Sequence, residues 1–234
     1  MRIVQVLVVC LMLLPVPARA QVLVELFTSQ GCSSCPPADT LLGELAKRDD
    51  VIALSYHVDY WDYLGWKDTF AQAAFSDRQR AYSGTVDRQY IGRRLRGSFT
   101  PEVVVGGRDS LIGSSRQGVV SRIIAQNDQE PRARIALSRE GDALTIELTP
   151  LWTGIGEVRV MLAQVDNEAT VDIRRGENRG RTLTYHRVVR DLSSVGNWDG
   201  KAAGRLTLPD VPGHAVVFLQ QGHAGPVLAV AEIR

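Results

Sequence analysis

Val22-Leu23-Val24-Glu25-Leu26-Phe27-Thr28-Ser29-Gln30-Gly31-Cys32-Ser33-Ser34-Cys35-Pro36-Pro37 runs from an apolar, β-prone segment through a glycine-marked turn into a cysteine pair and two prolines. The first seven residues read as a buried strand. Proline is tolerated in the first helical turn, where its missing N–H has no intrahelical acceptor to lose. Pro36 and Pro37 therefore open a helix that runs through Lys47, with Leu41, Leu42, Leu45 and Ala46 as its buried stripe. A second apolar strand, Val51 to Val58, completes a β-α-β unit of the length a parallel crossover requires.

Upstream, Met1 and Arg2 precede an apolar run from Ile3 to Leu14, and Ala18-Arg19-Ala20 supplies a small-x-small cleavage signal, so residues 1–20 read as a secretory signal peptide. The run is shorter than the roughly 20 residues that span a bilayer. Export to the periplasm or beyond follows as an expectation, with no stable membrane insertion after cleavage. Of three cysteines, Cys10 leaves with the signal, and Cys32 and Cys35 remain. Loss of Arg2 and Arg19 takes the formal charge from +1 to −1, which offers no field to steer nucleic acid.

Downstream, Tyr56 to Phe70 interleaves Tyr60, Trp61, Tyr63 and Trp66 with Asp59, Asp62 and Asp68. It reads either as a groove for an unfolded polypeptide or as a satellite core beneath a loop. A helix over 71–82, an Arg-rich connection over 88–96, short strands at Glu102–Val105 and near Leu111, and a helix over 115–125 complete an α/β region over 21–128. The polar stretch Gln126 to Pro131 marks a boundary. Beyond it, over 132–234, the pattern is all strand: Arg134–Arg139, Leu144–Thr149, Glu157–Val165, Thr182–Leu192, Gly204–Leu208, Ala215–Gln221 and Val227–Ile233. The expected fold is thus an α/β N-terminal domain followed by a separate small β-sandwich.

The cysteine spacing points to chemistry rather than stapling. Closing a four-residue loop stabilises a fold by only about 2 kcal/mol, against nearly 5 for a loop of about 100 residues. At a helix N-terminus, unpaired N–H groups and a partial positive charge favour a thiolate on Cys32. Lowering a thiol pKa from about 8.5 to about 7 raises its ionised fraction about fifteenfold and lowers its nucleophilicity about fivefold. The larger gain is in leaving-group ability. Cys32 is expected to be the more exposed, attacking sulfur and Cys35 the resolving one, with Ser33 and Ser34 as supporting donors.

The runs Val24 to Asp39, His57 to Lys67, Thr100-Pro101 and Gly176 to His186 resemble a family of secreted bacterial thioredoxin-like proteins of undefined function, over essentially the whole mature chain. The resemblance implies a thioredoxin-like fold for residues 21–128 and redox chemistry, without a substrate. Pro101 alone reads as an ordinary strand-start proline, whereas the resemblance implies a cis peptide before it, with Thr100 facing Cys32. Thr100 and Pro101 are then partner-binding residues, and Trp61 joins them on the reading of the aromatic stretch as a groove.

His57 and Asp59, at the end of the second strand, are candidate supporting groups; an acid there also commonly caps a loop. The leading expectation is an exported thiol–disulfide oxidoreductase acting on protein or small-molecule thiols and disulfides, without cofactor, metal or nucleic acid. Its rivals are a non-enzymatic binding module and a Cu(I) or zinc chaperone using Cys32, Cys35 and His57.

Overall fold

Strand β1 (Val22–Thr28), helix α1 (Pro36–Leu45) and strand β2 (Val51–His57) form a parallel crossover that sets Thr28 beside His57 at the carboxyl ends of the two strands. The computed structural model describes residues 21–86, 89–90, 93–94 and 97–234. The signal peptide read in residues 1–20, with Cys10, lies outside them, as does much of the Arg-rich connection. A 3-10 turn (Asp62–Leu64) leads to α2 (Ala73–Tyr82), β3 (Gln89–Tyr90), β4 (Arg93–Arg94), β5 (Glu102–Val105), β6 (Asp109–Ile112) and α3 (Arg116–Asn127). Seven strands follow: β7 (Ala133–Glu140), β8 (Ala143–Pro150), β9 (Val158–Asp172), β10 (Thr182–Trp198), β11 (Gly204–Leu208), β12 (Ala215–Gln221) and β13 (Val227–Ile233). No helix among the described residues is long and apolar enough to cross a membrane.

The expectation of a self-contained α/β thioredoxin-like domain followed by a separate β-sandwich is overturned by the sheet. Eight strands from both halves form one mixed sheet in the order β13-β12-β9-β10-β2-β1-β5-β6, and a second sheet holds β11-β8-β7. The join is a parallel pairing of β10 with β2, with Val188 opposite Ser55. Its cause is physical. A crossover unit leaves the outer edge of β2 with unpaired backbone groups, which a partner strand satisfies. Strand β10, 17 residues long, supplies that partner on one side while pairing with the 15-residue β9 on the other.

Alternation along the strands distributes the cores. Val22, Val24, Leu26 and Ala53 point toward α1 and α3, while Leu23, Phe27, Ile52, Leu54 and Tyr56 point the other way. That second set shares one core with Phe75 and Tyr82 of α2 and with Met161, Ala163, Val216 and Phe218 of the second half. The opposite faces of β9 and β12, through Val160, Leu162, Val217 and Leu219, pack with Leu144, Ile146 and Leu148 of β8. Burial on both faces explains the unbroken apolar run of β12. The large sheet curls until Val227 N–H donates to Gly106 O, at the turn after β5, at 2.9 Å.

A polar knot ties the halves inside the shared core. Arg78 of α2 donates to Glu25 of β1 at 2.8 Å, to Gln220 of β12 at 3.0 Å and to the Tyr82 hydroxyl at 2.9 Å, and Tyr82 donates to Glu25. The guanidinium also lies over the rings of Tyr56, Tyr82 and Phe218. Removing one partner of a buried ion pair costs about 3–5 kcal/mol, because the other charge stays buried. Glu25→Gln is accordingly expected to lower the unfolding free energy by about that amount in urea denaturation. Because the knot spans both halves, unfolding is expected as one transition; a second half that remains folded on its own after the first melts contradicts the shared core.

Candidate disulfide site

Cys35 is the N-cap of α1, and Cys32 sits in the turn before it, its N–H donating to Ser29 O and its carbonyl accepting the Cys35 N–H. The two are disulfide-bonded, with Cα atoms 5.4 Å apart. Pro36 and Pro37 occupy the first helical positions, where they lose no hydrogen bond. Ser33 and Ser34 are exposed, and Ser34 Oγ lies 3.4 Å from Cys32 Sγ. The expected exposure of Cys32 is corrected: it is as fully buried as Cys35.

Behind the disulfide lies a buried polar chamber, meaning the packed side chains of Thr28, Asp39, His57, Asp68 and Tyr185. Asp39 follows Cys35 by one helical turn, so the two side chains share a face, with Cβ atoms roughly 5–6 Å apart. Asp39 is buried, and neither carboxyl oxygen has a hydrogen-bond partner in the protein. Burial pushes its pKa up to about 7, against the opposing pull of His57 and the nearby Thr28 hydroxyl, while the Asp68 charge adds a smaller upward push. Tyr185 of β10 walls the chamber, its hydroxyl also without a partner; burial, followed by the charges of Asp39 and Asp68, raises its pKa.

His57, fully buried, donates from Nδ1 to Asp68 Oδ2 at 2.7 Å and packs edge-on against Phe70 and Tyr185. Asp68 also accepts the backbone N–H groups of Gln30 at 2.7 Å and Phe70 at 2.8 Å. His57 Nε2 is left without a partner inside the chamber. Among the described residues no group of three or more His, Cys, Asp or Glu side chains is gathered to hold a metal ion. Cys32, Cys35 and His57 of the chaperone reading do not form such a set: the cysteines are joined to each other and His57 to Asp68.

On the outer side, Trp61 Nε1 donates to Thr100 Oγ1 at 2.8 Å, and the Trp61 side chain lies against Gly31, where an added Cβ sits 3.1 Å from Trp61 Cβ. The Thr100–Pro101 peptide is cis. Gly113 meets Ala38 of α1 and Pro101 together, each 3.1 Å from the position of an added Cβ. Trp61, Thr100 and Pro101 are thus gathered beside the cysteine turn. Asp59 accepts from Ser76 Oγ at 2.5 Å, in the first turn of α2. The aromatic stretch mostly scaffolds: Trp66 Nε1 donates to Gln30 Oε1 at 2.8 Å and Tyr60 to Gln79 at 3.1 Å, while Tyr63 alone of the six aromatics is largely exposed.

The residues that sequence reading missed are Asp39, Asp68, Gln30, Glu177 and Asn178. Asp39 carried a signal, an acid in line with the apolar stripe of α1. Glu177 and Asn178 carried none as site residues, since the β9–β10 connection that delivers them lies more than a hundred residues away. Asn178 Nδ2 donates to Gln30 O and Cys32 O, each at 2.9 Å, and Glu177 Oε2 accepts from the Ser33 hydroxyl at 2.7 Å.

A family described as a protein of unknown function (DUF1223) matches residues 23–220. The crystal structure of protein AGR_C_4864 from Agrobacterium tumefaciens is similar at 33% identity and TM-score 0.76, covering 92% of this chain and 94% of that one. HBP35 of Porphyromonas gingivalis is similar in fold at 12% identity and TM-score 0.59, covering 92% of this chain and 75% of that one. No curated protein matches the sequence.

The chamber makes stability depend on pH. Because the folded-state pKa of Asp39 lies above its unfolded value of 3.8, the contribution is fully present below about pH 4 and is lost as pH rises through about 7. Asp39→Asn, neutral at every pH, is expected to match the parent near pH 4 and to exceed it by up to about 4 kcal/mol at pH 8. Urea denaturation across that range checks it; parallel curves for the two proteins contradict a buried, protonatable Asp39.

Proposed function

Taking as premise that this chain belongs to the DUF1223 family, we propose that it is a thiol–disulfide oxidoreductase whose working couple is Cys32 and Cys35. The observation that carries the reading is the pairing of a disulfide at the start of α1 with a buried, protonatable carboxyl one turn behind Cys35. Perturbed acids beside a reactive group mark functional sites more often than structural ones.

Written from the oxidised pair, the exchange balances as follows. A partner thiolate attacks Cys32 Sγ, the Cys32–Cys35 bond breaks, and a Cys32–partner mixed disulfide forms. The electron pair leaves on Cys35, and Asp39, half protonated near pH 7 and neutral well below it, supplies the proton. A second partner thiolate attacks the partner's own sulfur in the mixed disulfide and releases Cys32 as a thiolate. The partner dithiol is oxidised by two electrons and the cysteine pair is reduced by two. The reverse sequence uses the same groups, with Asp39 as the base that deprotonates Cys35 for resolution.

The division of labour follows from surroundings. Cys32 adjoins the exposed Ser33 and Ser34, while Cys35 has the proton-carrying group behind it, so Cys35 is the better-served leaving sulfur. Trp61, Thr100 and Pro101 form the adjacent surface, and the backbone at Thr100 is suited to pair with an extended partner segment. An exported, disulfide-permitting compartment fits this chemistry.

In a strain expressing Cys35→Ser, Cys32 is expected to remain joined to partner proteins as mixed disulfides that dithiothreitol releases, seen on non-reducing gels; Cys32→Ser should trap far less. Asp39→Asn is expected to slow exchange with a model disulfide at least tenfold at pH 7. If Cys35→Ser traps nothing and replacing both cysteines with Ala leaves the protein's cellular effect intact, the redox reading falls.

A further inference from the structure

Cys32 is fully buried, yet the exchange proposed above requires another molecule's sulfur to reach it. Side chains from the second half of the chain hold the cysteine turn. Between β9 and β10 the backbone closes on itself: Ile173 N–H donates to Arg181 O and Gly180 N–H to Ile173 O, at 2.9 and 2.7 Å. The tip of this hairpin lies on the cysteine turn.

Its two attachments differ in kind. Asn178, only 1% exposed, spends both amide hydrogens inward, on the carbonyls of Gln30 and Cys32, and its Oδ1 accepts from Arg181 at 3.0 Å. Glu177 is exposed and holds the outer side of the turn, its carboxylate accepting from the Ser33 hydroxyl and, at 3.3 Å, from the Ser33 N–H. Gly176, at φ +74°, lets the tip lie on Trp66, where a Cβ meets Trp66 Cβ at 3.2 Å. The Cys32 carbonyl and the Ser33 N–H are the backbone groups that immediately follow the Cys32 side chain along the chain. Both are already taken by the protein's own side chains.

We infer that the β9–β10 tip is a built-in competitor for the partner's place at Cys32, and that Glu177 and Asn178 determine which thiols reach the disulfide. A partner must displace the tip. The Glu177 contact faces solvent and is the weaker hold, since water competes for both Ser33 and the carboxylate. The Asn178 contact, buried and paired twice, is the stronger. A protein partner that offers an acceptor to Ser33 and a donor to the Cys32 carbonyl replaces what the tip loses, whereas a thiol lacking such groups does not. The inference rests on the oxidoreductase reading for its purpose and on geometry alone for its content.

The test is the rate at which dithiothreitol reduces the Cys32–Cys35 disulfide in the folded mature chain, followed by maleimide labelling of the released thiols. Glu177→Ala is expected to raise that rate several-fold and Asn178→Ala at least tenfold. Glu177→Gln, which keeps one oxygen for the Ser33 hydroxyl, should fall between the parent and Glu177→Ala. Circular dichroism and urea midpoints verify that each variant is folded. Should Asn178→Ala fail to fold, the order of parent, Glu177→Gln and Glu177→Ala decides alone. Equal rates in parent and folded variants overturn the inference. Because dithiothreitol reads access regardless of any partner, accelerated reduction without mixed disulfides in Cys35→Ser supports the gate and removes the oxidoreductase reading. Trapped partners with unchanged reduction rates do the reverse.

Discussion

The pairing of β10 with the open edge of β2, where Val188 sits opposite Ser55, is the constraint from which the rest of the molecule follows. An edge strand inside a protein must find partners for its backbone groups, and here they come from the second half. Once β10 lies beside β2, its neighbouring residues are carried to α1: the His186 ring fills the space at Gly43, where an added Cβ comes within 2.3 Å of it. Tyr185 becomes a wall of the chamber that holds Asp39 and His57. The hairpin tip just upstream then falls on the cysteine turn. One backbone pairing thus joins the sheet, helps bury a carboxyl and brings the hairpin tip onto the turn that carries the disulfide.

Magnitudes argue that this arrangement is not there for stability. A disulfide closing so short a loop contributes about 2 kcal/mol. Ionising Asp39 in place costs up to about 4 kcal/mol. A small apolar residue at position 39 would have extended the stripe of Leu41, Leu42 and Leu45 without that cost. The Glu25–Arg78 knot shows the contrast: it too is buried and charged, but Gln220 and Tyr82 complete its hydrogen bonds. In the chamber, Thr28, Asp39, His57 and Tyr185 each leave a polar atom without a partner.

How much of this was legible depended on range. The strand, turn and helix around Cys32 and Cys35 are local, written in alternation, glycine and proline. The place of Thr100 and Pro101 near the cysteine turn followed from the resemblance, and Trp61 from the aromatic stretch, rather than from periodicity. Single-sequence patterns mark that β9 and β10 are strands but not which edge they join. The β-rich half therefore read as a separate sandwich, and the ends of β9 and β10 were placed too early. The contacts on the cysteine turn were illegible for the same reason, since a polar Gly-Glu-Asn-Arg-Gly turn that looks like any surface loop supplies them. Asp59, at a strand end, is bonded to Ser76 in the first turn of α2, while Asp39, an acid inside α1, is buried one helical turn beyond Cys35.

The central claim is that the Cys32–Cys35 bond is exchangeable and that its proton traffic runs through Asp39. Equilibrating the protein with glutathione buffers of graded ratio, from both the oxidised and the reduced side and at pH values from 6 to 8, addresses it most directly. The account predicts that the two approaches converge on one oxidised-to-reduced ratio, and that its dependence on pH bends near 7 in the parent and loses that bend in Asp39→Asn. A pair that stays oxidised at every glutathione ratio, or a pH dependence indifferent to Asp39, contradicts it.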